Sequence, residues 1–490
     1  MTKGFIRYEK KNGVEYASIY KAKRIEGKKT NEIEYLGRVV DKNKGIYKNN
    51  KKGTFSFALE DGKTQYLPTV TEKLILDFGD SYLLNEMLIR SGFKELIERI
   101  YEGKSEMVLA LLFHRVLRGG ANCYAHVWWE GAYTRILFPK AGLQSQRISE
   151  QLQDLGDERN QRHFFIEYLR YISDKCGKGI LVDSTGLPND IRFPLTAINN
   201  HNGEISNETR LILVLDRQSG MPIYFRYTAG NIVDVSTLET TLNEIHAYGV
   251  EVEYAIVDAG YFSEKNIKAL QSSHISFIMR LVPNRKIYKD LVRTHAKDLE
   301  DARYLVKYRE RFVYIKHVVI DLFGQEGHAY IAVDIDRKHD EIKKYISGAL
   351  DNNDISAEDM NTEMREKGIF ILVASEKIES VDILPLYYTR QAIEQVFDLG
   401  KNDVDLLPLR VHGLETFKGH LLLSFMASAV YIMTNNMLKK ADLCATGAFN
   451  ILRNLKCKVY EENIIVMEAN KKMNEIAKKL ELTYPTILPY

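Results

Sequence analysis

The stretch Leu386 to Lys401, LYYTRQAIEQVFDLGK, carries a phenol, two cations and a carboxylate at Tyr387, Arg390, Lys401 and Glu394. As a helix advancing about 100° per residue, it sets all four within a sector of about 60°. Thr389, Ala392, Ile393, Val396 and Leu399 fall on the other side, which is largely apolar and suited to burial. Pro385, just before the stretch, fits a helix start, where its fixed φ is right and its missing N–H costs nothing. A carboxylate beside two cations and a phenol suits an anionic substrate held near a metal ion. Taken alone, the same pattern also describes a solvated helix face, with Arg390 and Glu394 as an ordinary i,i+4 pair.

Two aspartates upstream extend the set. Asp183 closes the apolar run KGILVD and precedes Ser184-Thr185-Gly186; Asp258 closes VEYAIVD and precedes Ala259-Gly260-Tyr261. An acid at a strand end, beside small residues, lets a metal ion come close to the backbone. Singly, each reads as well as turn chemistry. On neighbouring strands of one sheet the two carboxylates would come within reach of a shared ion, and Glu394 from a packed helix would complete the cage. Phosphodiester chemistry needs such a cage. Mg²⁺ takes hard oxygen ligands, and two ions about 4 Å apart can activate an attacking oxygen and stabilise a leaving one. Tyr387, Arg390 and Lys401 would then position phosphates rather than move protons.

The surrounding pattern supplies elements to carry these residues. Residues 1–70 read as short strands (FIRY, EYASIYKA, EIEYLGRVV, TFSFAL) with Asn-Gly, Glu-Gly and Lys-Gly steps between them, a small β module that solubilises, dimerises or touches nucleic acid. Residues 71–176 show apolar residues at helical spacing, and SQRISEQLQDLG (145–156) resembles the first part of a helix-turn-helix unit. From residue 177 to 280 the order reads β-β-β-α-β-α-β, an antiparallel meander with parallel additions, which is the ribonuclease-H-like order. Residues 281–366 read as a β-rich insertion, residues 367–440 as the second part of the core with a long apolar helix, and residues 441–490 as a helical tail.

These residues and motifs resemble a known family. Residues 387–401 match without departure the Tyr-x2-Arg-x3-Glu-x6-Lys signature of bacterial insertion-sequence transposases of the fourth family, which use a DDE triad. VDSTG around Asp183 and VDAGYFSEKN around Asp258 resemble its first two acidic motifs, and GNIVDVSTL (230–238) resembles the segment between them. The β module and helices ahead of the core resemble a longer subgroup. The resemblance implies an α/β fold with a ribonuclease-H-like mixed sheet and a triad of Asp183, Asp258 and Glu394 holding two Mg²⁺ or Mn²⁺ ions. It also implies DNA contacts from Tyr387, Arg390 and Lys401, cleavage of double-stranded DNA at terminal inverted repeats, and strand transfer into target DNA by a homodimer in a synaptic complex. His412 and His420, in RVHGLETFKGH, resemble a downstream stretch and are expected to pack or touch phosphate rather than bind metal. The competing readings are a transposase-derived DNA-binding protein without catalysis, a ribonuclease-H-like nuclease that cuts without joining, and a carboxylate-pair glycosidase. The last would explain neither the third acid nor the cations beside Glu394.

Composition sets outer bounds. The chain has 490 residues, 45% hydrophobic and 27% charged, enough for several domains and a sizeable core. A net charge of +2 does not by itself announce a nucleic-acid partner. Over residues 1–60, however, Lys and Arg outnumber Asp and Glu roughly two to one. Cys123, Cys176, Cys444 and Cys457 form no Cys-x-x-Cys pair, so neither a zinc knuckle nor a disulfide framework is indicated. A reducing cytoplasmic setting is expected, and the resemblance to transposases implies association with the nucleoid. The polar, basic start carries no secretory signal, and the apolar run near Leu421–Met433 reads as a buried helix, so no membrane partner is expected.

Overall fold

Alternation of apolar and polar residues decides the first unit, residues 1–75, 457–467 and 485–490. In the computed structural model, which describes residues 4–11, 13–25, 28–49, 53–59, 64–66, 74–201, 204–349, 357–404 and 406–489, the amino-terminal stretch forms a six-stranded antiparallel sheet. Its strands are β1 (Phe5–Lys11), β2 (Val14–Ile25), β3 (Lys28–Asp41), β4 (Ile46–Asn49), β5 (Gly53–Phe57) and β6 (Thr64–Tyr66), paired in that order. One face buries Ala17, Ile19, Leu36, Tyr47 and Phe55, with Ile6, Tyr8, Val39 and Phe57 packed at their edge. Gly37 stands at φ +119°, and a Cβ there would lie 2.2 Å from the Lys48 carbonyl oxygen, so only glycine fits that bulge. Of the turn steps read from the sequence, Asn12, Glu26, Gly27 and Lys52 lie outside the described residues, as does the expected boundary at residue 70. Strand β7 (Leu74–Asp77) follows.

The second unit, residues 76–456 and 468–484, opens with helices. Gly79–Ser91, Phe93–Ile100, Ser105–Leu117, Ser145–Gly156 and Glu158–Ile172 are the longer ones. A single residue, Asp157, joins the last two and caps the second by accepting from the N–H groups of Arg159 and Asn160. Helix Ser145–Gly156 lies against the 26-residue helix Leu414–Lys439. They touch backbone to backbone: a Cβ on Gly156 would sit 1.8 Å from the Glu415 carbonyl oxygen, and one on Gly419 would sit 1.8 Å from that of Leu152. Leu414–Lys439 is the one helix among the described residues long and apolar enough to cross a membrane, and 72% of its apolar window is buried inside this unit.

The sheet comes next, built from β8 (Gly179–Pro188), β9 (Ala197–His201), β10 (Glu204–Asp216), β11 (Pro222–Ala229), β12 (Tyr254–Val257), β13 (Ser276–Arg280), β14 (Leu305–Tyr308), β15 (Arg311–Asp321), β16 (Glu326–Asp334) and β17 (Ile369–Ala374). The order is β11-β10-β8-β12-β13-β17-β16-β15-β14, with β9 paired to β10. The pairs β8–β10 and β10–β11 are antiparallel, β8–β12 and β12–β13 are parallel, and β13–β17 is antiparallel, so the sheet is mixed as the strand order predicts. The helix after β11 starts only at Leu238. Residues Asp234–Ser236 form a 3₁₀ turn and the helix runs Leu238–Ala247, because Ser236 and Thr237 hydroxyls donate back to the carbonyls of Val233 and Asp234.

The strands of residues 281–366 join the same sheet: β16 pairs along β17, so β14–β16 extend it beyond β17. The expected helical tail is mixed. It holds helices Ala445–Leu452 and Lys471–Lys479 and the antiparallel strands β18 (Lys456–Val459), β19 (Asn463–Val466) and β20 (Ile487–Pro489). Alternation in KCKV and NIIV, one residue in two buried, is the strand signal there.

Candidate active site

Strand register brings the first two acids together. β12 runs parallel to β8 with Val257 opposite Val182, so the next residues, Asp258 and Asp183, are neighbours across the pair. β12 stops there and Asp258 begins a turn, Ala259–Tyr261. β8 does not stop, contrary to the expectation that Asp183 ends its strand. Ser184 to Pro188 stay in register with Glu208 to Ile212 of β10, because ladder pairing asks only for backbone groups and tolerates the Ser-Thr-Gly side chains.

The third acid comes from a helix that is not continuous. The expected single helix divides into Ile383–Tyr387, a 3₁₀ turn Tyr388–Arg390, an α segment Gln391–Asp398 and a π turn Leu399–Asp403. Pro385 therefore lies inside the first helical turn rather than ahead of it. Tyr387 is buried, and that burial pushes its phenol above the usual range, with the charges of Arg390 and Asp258 acting on it as well. It meets Tyr388 edge-on, and Tyr388 stacks on Tyr308 at 5.3 Å.

Arg390 is the meeting point of the acids. Its guanidinium lies 3.4 Å from Asp183 Oδ2, 3.2 Å from Asp258 Oδ1 and 3.1 Å from Glu394 Oε1. The acids grade outward: Asp183, Asp258 and Glu394 side chains are 13%, 37% and 55% exposed, so the cluster opens to solvent on the helix side. Burial raises the Asp183 carboxyl to about 7; the nearby Arg390 charge and the Ser184 N–H pull it back, while the charges of Asp258 and Asp234 push the other way.

Lys401 sits on the π turn, half-buried, and donates to Thr185 Oγ1 at 2.6 Å; burial lowers its ammonium. It therefore touches the strand carrying Asp183, two residues on. His412 is exposed, and neither it nor His420 contacts the acids. His420 is buried, accepting from Arg115 at Nδ1 and donating from Nε2 to the Leu406 carbonyl, and burial lowers its imidazole to about 3. Arg115, Arg410, His412 and His420 line a cavity of about 550 Å³ that none of the three acids borders.

Behind the acids, Asp234 of the GNIVDVSTL segment and Ser184 of VDSTG join Arg210 and Glu208, which the sequence reading did not single out. Asp234 Oδ1 accepts from Ser184 Oγ and from Arg210 Nη1, both at 2.6 Å, and Arg210 Nη2 lies 3.9 Å from Glu208. The signal is present in β10. Glu208 and Arg210 are charged residues at the head of the buried run Leu211–Leu215, and a buried charge requires a partner.

Comparison with known proteins gives the class. Residues 174–430, more than half of the chain, match the family described as Transposase DDE domain, and the chain belongs to that family. No curated protein matches it significantly. Among solved structures it resembles a piggyBac transposase synaptic complex with hairpin DNA seen by cryo-electron microscopy. That likeness has a TM-score of 0.40 and 11% identity, covering 71% of this chain and 70% of that one.

Proteins of this family generally use divalent metal ions. The donors here suit one in kind: three carboxylates, all hard oxygen ligands, face a single guanidinium, leaving negative charge uncompensated around a buried Asp183. Among the described residues no three His, Cys, Asp or Glu side chains are spaced to hold an ion; Arg390 lies between the acids.

Proposed function

We propose that the chain is an insertion-sequence transposase of the fourth family, with a ribonuclease-H-like core and a triad of Asp183, Asp258 and Glu394. The observation that carries this reading is one guanidinium paired with three carboxylates drawn from two adjacent strands and one helix. Those three side chains would hold two Mg²⁺ or Mn²⁺ ions, which when bound activate the attacking oxygen and stabilise the leaving one. Arg390 offers a planar fork suited to a phosphate and Lys401 a point charge; Tyr387, expected from the resemblance to touch DNA, is buried. The substrate is double-stranded DNA bearing the element's terminal inverted repeats, with residues 1–70 and the helical region 71–176 supplying end recognition. Two copies would act together at paired ends, in the cytoplasm at the nucleoid.

The test is a product assay with purified chain, Mg²⁺ and a duplex ending in the inverted repeats that flank the gene. Cleavage at the repeat boundary followed by joined products with target DNA is the expected result. Cleavage without joining would make the chain a nuclease, and binding without cleavage a DNA-binding descendant.

A further inference from the structure

Asp258 lies beyond the end of its strand, so no sheet ladder holds it, although a shared ion site needs it fixed relative to Asp183. We infer that Asp234, anchored by Arg210, is the positioning residue that locks the two aspartate segments together. This rests on the reading of Asp183 and Asp258 as ion ligands.

Three contacts carry the inference. First, Ser184 divides its donors: its N–H goes to Asp183 Oδ1 at 2.8 Å, and its hydroxyl goes to Asp234 Oδ1 at 2.6 Å. Asp234 thus grips the residue that orients the Asp183 carboxylate. Second, the other oxygen of Asp234 faces the turn after Asp258. A Cβ on Gly260 would lie 3.0 Å from Asp234 Oδ2, so glycine there leaves the carboxylate its seat. Third, the turns Asp234–Ser236 and Ala259–Tyr261 are tied by one buried amide: Asn266 Nδ2 donates to the Val235 carbonyl at 2.9 Å and to the Tyr261 carbonyl at 2.8 Å. Arg210, with its side chain 8% exposed, completes the clamp by neutralising Asp234 from β10.

A plain core ion pair would make some of these contacts, but a buried pair is weak evidence of stabilisation and is better explained by register. Placing a fourth carboxylate near three others, and then pairing it with an arginine, has a use if its hydrogen bonds fix the geometry of the rest. Outer partners of this kind typically alter metal affinity about 10- to 100-fold when removed.

The experiment is Mn²⁺ binding to the full chain, followed by electron paramagnetic resonance, with folding of each variant checked by circular dichroism. Wild type and Asp183→Ala test the centre; Asp234→Ala, Asp234→Asn and Ser184→Ala test the clamp. Asp234→Ala is expected to weaken Mn²⁺ binding about tenfold or more, and Ser184→Ala to weaken it in the same direction. Asp234→Asn should recover most of the loss, since its amide oxygen can still accept from Ser184 and Arg210. If wild type binds Mn²⁺ no better than Asp183→Ala, the reading of the centre falls. If wild type exceeds Asp183→Ala while folded Asp234→Ala and Ser184→Ala both match wild type, the clamp is wrong and the centre stands. Should Asp234→Ala fail to fold, Ser184→Ala decides alone, because it leaves the Asp234–Arg210 pair intact.

Discussion

At the scale of single residues, Arg390 decides how the acids coexist. Burial raises the Asp183 carboxyl to about 7: the Arg390 charge opposes that rise without cancelling it, and the Asp258 charge adds to it. The folded chain therefore holds that proton more tightly than the unfolded one. The contribution favours folding below the ordinary aspartate range, near pH 4, and is lost as pH rises towards 7. Asp183→Asn removes the cost, so its melting temperature should gain on wild type as pH climbs from 4 to 8 in metal-free buffer. The difference amounts to at most about 4 kcal/mol. A gap that stays flat or closes with rising pH would show Asp183 to be ionised without penalty. Residue identity was the most legible level. Neither the spacing of Arg390 and Glu394 nor a strand-end acid at Asp183 or Asp258 was decisive alone; their conjunction and the family motifs singled them out. The burial of Tyr387 was not legible, because a helical wheel places residues by angle and does not say what packs over them.

At the scale of elements, register and close approach do the positioning. The β8–β12 pairing with Val182 opposite Val257 sets the two aspartates side by side, and the antiparallel β10 holds β8 straight past Asp183. The helices behind them are fixed by glycines. Gly419 lies within a long helix, where alanine is normally favoured by about 1 kcal/mol. Here its Cβ would meet the Leu152 carbonyl oxygen at 1.8 Å, so Gly419→Ala should destabilise by about 1–3 kcal/mol and lower the melting temperature by several degrees. A rise would mean the helices do not cross so tightly. The succession of strands and helices over residues 177–280 was readable from apolar runs and turn residues. The pairing of β16 with β17 was not, since nothing local tells a strand which distant edge it joins.

At the scale of the whole molecule, the chain returns on itself. Residues 457–467 and 485–490 belong with the amino-terminal unit, which a linear division into domains could not anticipate. Within that unit β20 covers one edge of β19, pairing Ile464 with Leu488 and Ile465 with Ile487. Deleting residues 485–490 should speed hydrogen exchange at Ile464 and Val466, whose N–H groups face β20, while the amides of Leu414–Lys439 keep their protection. Unchanged exchange at both residues would show that β20 is not what shields that edge.

The central claim is that three acids distant in the chain make one catalytic centre, and single-turnover cleavage of terminal-repeat DNA in Mg²⁺ tests it most directly. Asp183→Asn, Asp258→Asn and Glu394→Gln should each slow cleavage on the order of a thousandfold or more while DNA affinity stays within about twofold of wild type. A variant that cleaves at the wild-type rate would contradict the account and remove its residue from the centre.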